Sequence, residues 1–404
     1  MFKQYGRHLL SALLLTSSLM QIPSSRADIA FQQCVDTLQK QAKQEGIPNN
    51  IINEALSNVS PVTRTIELDR KQPEFSETFA NYLNKRVTRT RIQKGRELLQ
   101  ENKALLDKLT KKYGIPPQYL IAFWGLETNY GGYLGKFPVI DTLVTLACDH
   151  RRSTYFSNEV IAAMEVMDEF NIPRKQMVGS WAGAMGQTQF MPSAYLHYGV
   201  DGDKDHDVNL WKSIPDAMSS AANFLHGLGW HKNWRWGREV LLPKDFNYLN
   251  TGFKNKKPLS QWRKLGITTV FGGPLPDGKA EAALLIPSGH RGPAFLVYDN
   301  FDVIMSWNRS IFYSLAVGIL ADKINGLPDL HRPPPTDSLR LNVAQIKTLQ
   351  TKLNKLGFDS GNPDGIIGSD TRGAIREYQH SKKMIADGYP DKQVFDSLNI
   401  ALNK

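Results

Sequence analysis

The sequence predicts a mainly α protein that carries one short β-ribbon and a separate, small three-helix module at its C-terminal end. Three observations carry this expectation. Apolar residues recur at spacings of three and four over long stretches, as in Leu98, Leu99, Leu105, Leu106 and Leu109, with charged residues between them. Two short apolar runs, 280–286 (AEAALLI) and 294–298 (AFLVY), flank the turn-rich PSGHRGP. Four prolines crowd the stretch PDLHRPPPTDS at 328–338, where no helix can continue. A chain of 404 residues is also too long for one compact core.

The elements follow in chain order. Residues 1–27 read as an export leader: Lys3 and Arg7 precede the apolar LLSALLL, and Ser25 and Ala27 put small residues at the positions a signal peptidase inspects. The apolar run is too short for a membrane span, and no cysteine follows it to accept a lipid. The body, 28–327, begins with helices over 29–112, broken at Gly46-Ile47-Pro48 and again at Gly114-Ile115-Pro116-Pro117. Further helices are expected over 117–127, 157–170, 215–228 and 313–324, with the ribbon at 280–298. After the stiff linker 328–338 comes the module 339–404. There Leu349, Leu353 and Leu356 mark one helix, Ser369 or Asp370 caps a second, and 389–402 supplies a third.

The formal charge is +10, falling to +7 once the leader is removed, because the leader holds three basic residues and no acid. A positive surface suits anionic partners, and export argues against nucleic acid. No zinc-finger spacing, Walker loop or dinucleotide fingerprint is present. Cys34 and Cys148 are the only cysteines, and in an oxidising compartment they either pair or stay as two buried thiols.

Three stretches carry chemistry. In FWGLETNYGG, 123–132, Glu127 closes an apolar helix on the face shared by Leu120, Phe123 and Trp124, just before a Gly-Gly pair that lets a ligand approach. Partial burial raises a carboxyl pKa, as a general acid near neutral pH requires; the alternative is a structural glutamate paired with a base. GSWAGAMGQTQFMPS, 179–193, sets the polar Ser180, Gln187 and Gln189 among small residues and the flat Trp181 and Phe190, which suits either a sugar or a tight turn. DGDKDHDVN, 201–209, alternates Asp201, Asp203, Asp205 and Asp207 as an EF-hand loop does, although His206 replaces the usual glycine and Lys212 the bidentate glutamate.

ETNYGG followed by GSWAGAMGQTQFMPS resembles the membrane-bound lytic transglycosylase B family, which includes soluble members. NLWKSIPDAMSSAANFLHGLGW and WNRSIFY extend the resemblance across about 30–325. It implies a lysozyme-like core that cleaves peptidoglycan glycan strands with no cofactor. It places Glu127 on the catalytic acid, and Ser180, Gln189, Phe190, Asn308 and Tyr313 on the sugar cleft. Phe224 stands where the family often has tyrosine, and Trp307 replaces another aromatic. Arg151 and Arg152 match an arginine pair suited to stem-peptide carboxylates, and Tyr82 matches a tyrosine of the helical lobe. The resemblance also implies that the acidic loop takes a structural Ca²⁺ or Na⁺ with Asp216 as a later ligand, unless Asp216 is simply a helix cap. In the module, LQTKLNKLGF, NPDGIIGSDTRGAIREYQ and ADGYPDKQVFDSL resemble a three-helix peptidoglycan-binding domain. A zinc peptidase is disfavoured there, since His380 is its only histidine.

Retaining glycosidases place two carboxyls about 5–5.5 Å apart and inverting ones about 6.5–9.5 Å apart. No second acid lies inside these motifs, and Asp141 in VIDTL reads as a helix cap. The resemblance therefore implies one carboxyl acting twice and a 1,6-anhydroMurNAc product. A hydrolytic muramidase and a non-catalytic peptidoglycan-binding scaffold are the alternatives.

Overall fold

In the computed structural model, residues 26–71, 77–278 and 280–402 are described. Residues 1–25 of the expected leader therefore lie outside the described residues. The helical N-terminal stretch resolves into Arg26–Gln44, Asn49–Leu56, Thr63–Lys71, Phe79–Arg86, Arg89–Glu101 and Lys103–Tyr113. Gly114 ends the last of these in the left-handed region, and Pro117 opens the next helix, Pro117–Thr128.

Two apolar clusters build the walls of the site. One gathers Pro117–Thr128, the helix Ile311–Ile324 and the inner face of a sheet through Leu120, Phe123, Phe295 and Leu320. The other gathers the N-terminal helices with Val139–Ala147 and Ser153–Glu169. A disulfide between Cys34 and Cys148 joins Arg26–Gln44 to the end of Val139–Ala147, so the cysteines pair.

The expected ribbon is present as Glu281–Leu285 antiparallel to Ala294–Val297, with Leu284 opposite Leu296. It is part of a larger, five-stranded antiparallel sheet. In spatial order the strands are Lys257–Pro258, Glu281–Leu285, Ala294–Val297, Gly237–Leu241 and Thr268–Thr269. Strands of two residues carry no readable alternation, so the sequence gives no sign of them.

The C-terminal module packs Ile346, Leu349, Leu353, Ile375, Tyr378 and Phe395 into its own core. Its second helix, Ser369–Ser381, starts from Gly368 and has no side-chain cap, so neither Ser369 nor Asp370 caps it. The third helix spans only Lys392–Ser397, and Leu356 lies exposed rather than on the packed face. Two buried glutamines organise the loops in the same way. Gln350 donates to Asp364 and accepts from the Gly365 N–H; Gln379 donates to Asp387 and accepts from the Gly388 N–H.

The proline-rich stretch 328–338 contains no helix or strand, and it is fastened rather than free. The N–H groups of His331 and Arg332 both donate to the Glu239 carboxylate, and Arg291 pairs with Asp337. His290 of the ribbon turn donates its backbone N–H to Asp387 and places its Nδ1 2.7 Å from the same carboxylate oxygen, which docks the module directly on the body.

Candidate active site

Glu127 sits in the last turn of Pro117–Thr128. The helix stops because Asn129, Tyr130 and Gly131 all adopt positive φ, and the Tyr130 hydroxyl anchors the turn on the Arg91 carbonyl. Glycine is required at 131: a Cβ there would lie 2.5 Å from Gln187 Oε1. That oxygen accepts from Trp124 Nε1, and Gln187 Nε2 donates to the Trp211 carbonyl. Gln187 is thus a buried brace that joins the 179–193 loop to the helix bearing Glu127.

The carboxyl of Glu127 is partly open to the cleft yet densely surrounded. Its Oε1 accepts from Trp307 Nε1 at 2.9 Å and from the Tyr313 hydroxyl. These donors come from two helices, Asp299–Trp307 and Ile311–Ile324, which meet at 115°. Ser310 caps the second helix by accepting the Tyr313 N–H, and Asn308 Oδ1 accepts the Ser310 N–H; this corner turns both donors toward one oxygen. Oε2 has no partner among the described residues and is the oxygen free to carry a proton.

Burial raises the pKa of Glu127 to about 7, against the opposing pull of the Tyr313 and Trp307 hydrogen bonds, which favour the ionised form. Its position at a helix C-terminus, where the backbone carbonyls carry partial negative charge, acts in the same direction as burial. No cation pairs with it among the described residues, so the structural ion pair weighed above does not exist. Tyr313, driven well above its ordinary pKa by burial and by the Glu127 charge, remains a donor across the working range.

Rings close the floor around the acid. Phe123, Phe224 and Phe190 lie 4.4, 5.0 and 5.3 Å from the Trp307 ring, and Tyr198 packs on Phe224 at 4.6 Å. Phe190 is fully buried, so it is a wall behind the cleft rather than a stacking platform; the partly exposed Phe224 and Trp307 present ring surface. Ser180 Oγ accepts from the Ala182 and Ala184 N–H groups, which leaves its own proton to donate. Gln189, held at φ 50°, spends its Nε2 on the Leu134 and Gly186 carbonyls and keeps its side-chain oxygen free. Asn308 is exposed. Tyr82 is buried under Arg86, 5.9 Å from Phe312, and close enough to Tyr313 to raise its pKa further.

Several expected residues have other work. Arg151 and Arg152 both bind the buried Asp69, Arg151 through Nε at 2.8 Å and Arg152 through Nη2 at 2.7 Å. Neutralising a buried carboxylate occupies the pair that had been matched to stem-peptide carboxylates. Asp141 is not a cap: Pro138 precedes the helix, and the carboxylate pairs with Arg174 and accepts the Ser60 N–H. Asp149 pairs with Arg70.

In the acidic loop, Asp201, Asp203 and Asp205 bring carboxylate oxygens within 4.8 Å of one another. Asp207 and Asp216 are not in this group. Asp216 is buried and braces the loop by accepting the Gly202 and Asn209 N–H groups, while Ser213 rather than Asp216 caps the helix Ile214–Gly227. Three converging acids suit a hard cation, and without one they repel.

The functional contact that sequence reasoning missed is the Trp307 N–H bond to the acid. Its one signal was an aromatic change in WNRSIFY, which says nothing about where the indole nitrogen points. Trp307→Phe removes a charge-assisted donor and should move the alkaline limb of the pH–rate profile upward by about one pH unit. A profile that coincides with wild type would show that the bond does not tune Glu127.

A family model described as "Transglycosylase SLT domain" matches residues 30–322. The chain belongs to this family. Its membership makes the chain a lytic transglycosylase acting on peptidoglycan. A second model, "Putative peptidoglycan binding domain", matches 342–398. The chain is 30% identical over 305 residues to membrane-bound lytic murein transglycosylase B of Escherichia coli K12, covering 72% of this chain and 82% of that protein. Among solved structures it is similar to SltB3 of Pseudomonas aeruginosa in complex with NAG-anhNAM-pentapeptide. There the TM-score is 0.87 at 39% identity, over 91% of this chain and 99% of that one. It is also similar to Escherichia coli Slt35 in complex with calcium, with a TM-score of 0.63 at 29% identity over 73% and 92% of the two chains. The fold is thus the lysozyme-like one of the transglycosylase SLT family, whose chemistry requires no cofactor. Among the described residues no single helix is long and apolar enough to cross a membrane.

Proposed function

We propose that Glu127 cleaves the β-1,4 bond between MurNAc and GlcNAc by serving first as acid and then as base. Protonated Oε2 donates to the glycosidic oxygen as the C1–O bond breaks. The substrate's own N-acetyl group stabilises the cation at C1. The carboxylate, now accepting from Trp307 and Tyr313, takes the proton of the MurNAc C6 hydroxyl, whose oxygen bonds to C1 and closes the 1,6-anhydro ring. No water is consumed. The supporting observation is an acid with a pKa raised to about 7 by burial and perturbed by no second carboxyl among the described residues, Asp141 and Asp149 being engaged with arginines. Ser180, Gln189, Phe224 and Asn308 contact the sugars, Phe190 and Tyr82 back the cleft, and Tyr313 holds the acid. Mass spectrometry of products released from purified sacculi tests this: fragments one water lighter than hydrolysis products support it, and reducing MurNAc ends would instead make the chain a muramidase.

The leader at 1–27 and the wall-binding resemblance of 339–404 fit a periplasmic enzyme, with the catalytic body over 28–327 and the 328–338 linker setting the module beside it. Asp201, Asp203 and Asp205 would hold a structural Ca²⁺ or Na⁺, with Asp207 and Asp216 supporting the loop. Calcium at a hundredfold excess over its Kd should stabilise the fold by about 3 kcal/mol, read as a rise in Tm that Asp203→Asn with Asp205→Asn removes. A Tm indifferent to calcium would leave the acids as a solvated loop.

A further inference from the structure

Between the body and the module lies a cavity of about 680 Å³, bordered on one side by Gly252, Lys254 and Pro287 and on the other by Arg372 and Arg376. The two arginines stand one turn apart on Ser369–Ser381, so their charges sit side by side. Neither forms an ion pair among the described residues. Arg372 makes one long bond, 3.5 Å, to the Pro287 carbonyl, and Arg376 Nε is buried with no partner at all. The backbone crowds this guanidinium: a Cβ at Gly388 would lie 3.1 Å from Arg376 Nη2. Burial lowers the pKa of both groups, and the Arg372 charge lowers that of Arg376 further. Both guanidiniums are half-buried and side by side, and beyond the single long bond of Arg372 most of their donors have no acceptor among the described residues.

Asp387 acts on both arginines across space, and Glu377 on Arg376, but neither acid forms an ion pair with them among the described residues. Asp370 pairs with Lys254, and Asp387 serves His290, Gln379 and the Tyr389 N–H. Asp359 accepts the Gly361 N–H, and Glu377 is exposed and unpaired. A forked pair of guanidiniums matches the geometry of a carboxylate. A second cavity, of about 340 Å³, shares Arg372 and is lined by Arg309, Ser310 and Phe312, the residues running between Trp307 and Tyr313. Arg372 therefore shares a space with residues 309–312, the segment that joins the two helices supplying Trp307 and Tyr313.

We infer that Arg372 and Arg376 form an inter-module site for a carboxylate of the peptide stem attached to the glycan. This rests on the peptidoglycan reading above. Calorimetry on the full chain tests it with three probes: a free stem pentapeptide, the same peptide with its acids amidated, and sulfate. The free peptide should bind, and amidation should weaken binding about tenfold or more with the wild-type chain alone, so that no variant has to fold. Arg372→Gln with Arg376→Gln should cause a similar loss, and sulfate should compete. Equal binding of both peptides, an undiminished double variant, or binding of sulfate but not of peptide would each overturn the site. Release of soluble fragments from sacculi by wild type, measured in parallel, reports on the glycan chemistry separately.

Discussion

Glu127→Gln should lower glycan cleavage by about a thousandfold or more while leaving the protein bound to sacculi. General acid–base assistance contributes factors of about 10²–10⁴ per step, and in the proposed reaction one carboxyl serves both proton transfers. Glutamine keeps an oxygen for the Trp307 and Tyr313 donors but has no proton of suitable acidity, so binding and chemistry separate. The same variant should gain stability at alkaline pH. In the folded chain Glu127 titrates near 7 rather than near 4.5, so the native state binds the extra proton between those values and stability falls as pH rises through them. Glutamine carries no such penalty; at pH 8 the variant should gain up to about 3 kcal/mol relative to wild type, and at pH 4 nothing. Retained turnover would move the acid role to another group, and a Tm difference constant with pH would show that Glu127 is not held protonated.

Cys34→Ser with Cys148→Ser should cost up to about 5 kcal/mol, because the bridge closes a separation of 114 residues and constrains the unfolded chain accordingly. The loss should appear in the unfolding of the lobe built from Arg26–Gln44 and Val139–Ala147. Reductant should lower the wild-type Tm toward that of the double variant without changing the variant's own. If reductant leaves wild type unmoved, packing through Val35 and Leu38 and the Arg151–Asp69 contact hold the lobe unaided.

The placement of Glu127 at a buried helix end was legible because its signal is local: an apolar helix ending in a carboxyl and two glycines within ten residues. The helices were legible for the same reason, since Leu98, Leu106 and Leu109 are buried at the spacing their periodicity requires. What escaped depended on partners distant in the chain. Arg151 and Arg152 look like free cations until Asp69, 82 and 83 residues away, is folded against them. Trp307 reaches Glu127 across 180 residues through a corner that no periodicity describes. Gln187 looked available for a ligand because its partners, Trp124 and Trp211, are invisible to composition. Ser213 and Asp216 lie within one turn, and only the observed bond from the Asp216 N–H to Ser213 Oγ decides which of them caps.

Trp307 packs against both apolar clusters of the body while its nitrogen holds the carboxyl of Glu127. The hydrogen bonding of the carboxyl is consequently tied to the packing of both clusters. A substitution that loosened either cluster beneath the indole would therefore reach the carboxyl without touching it, through the donor that Trp307 supplies to Oε1.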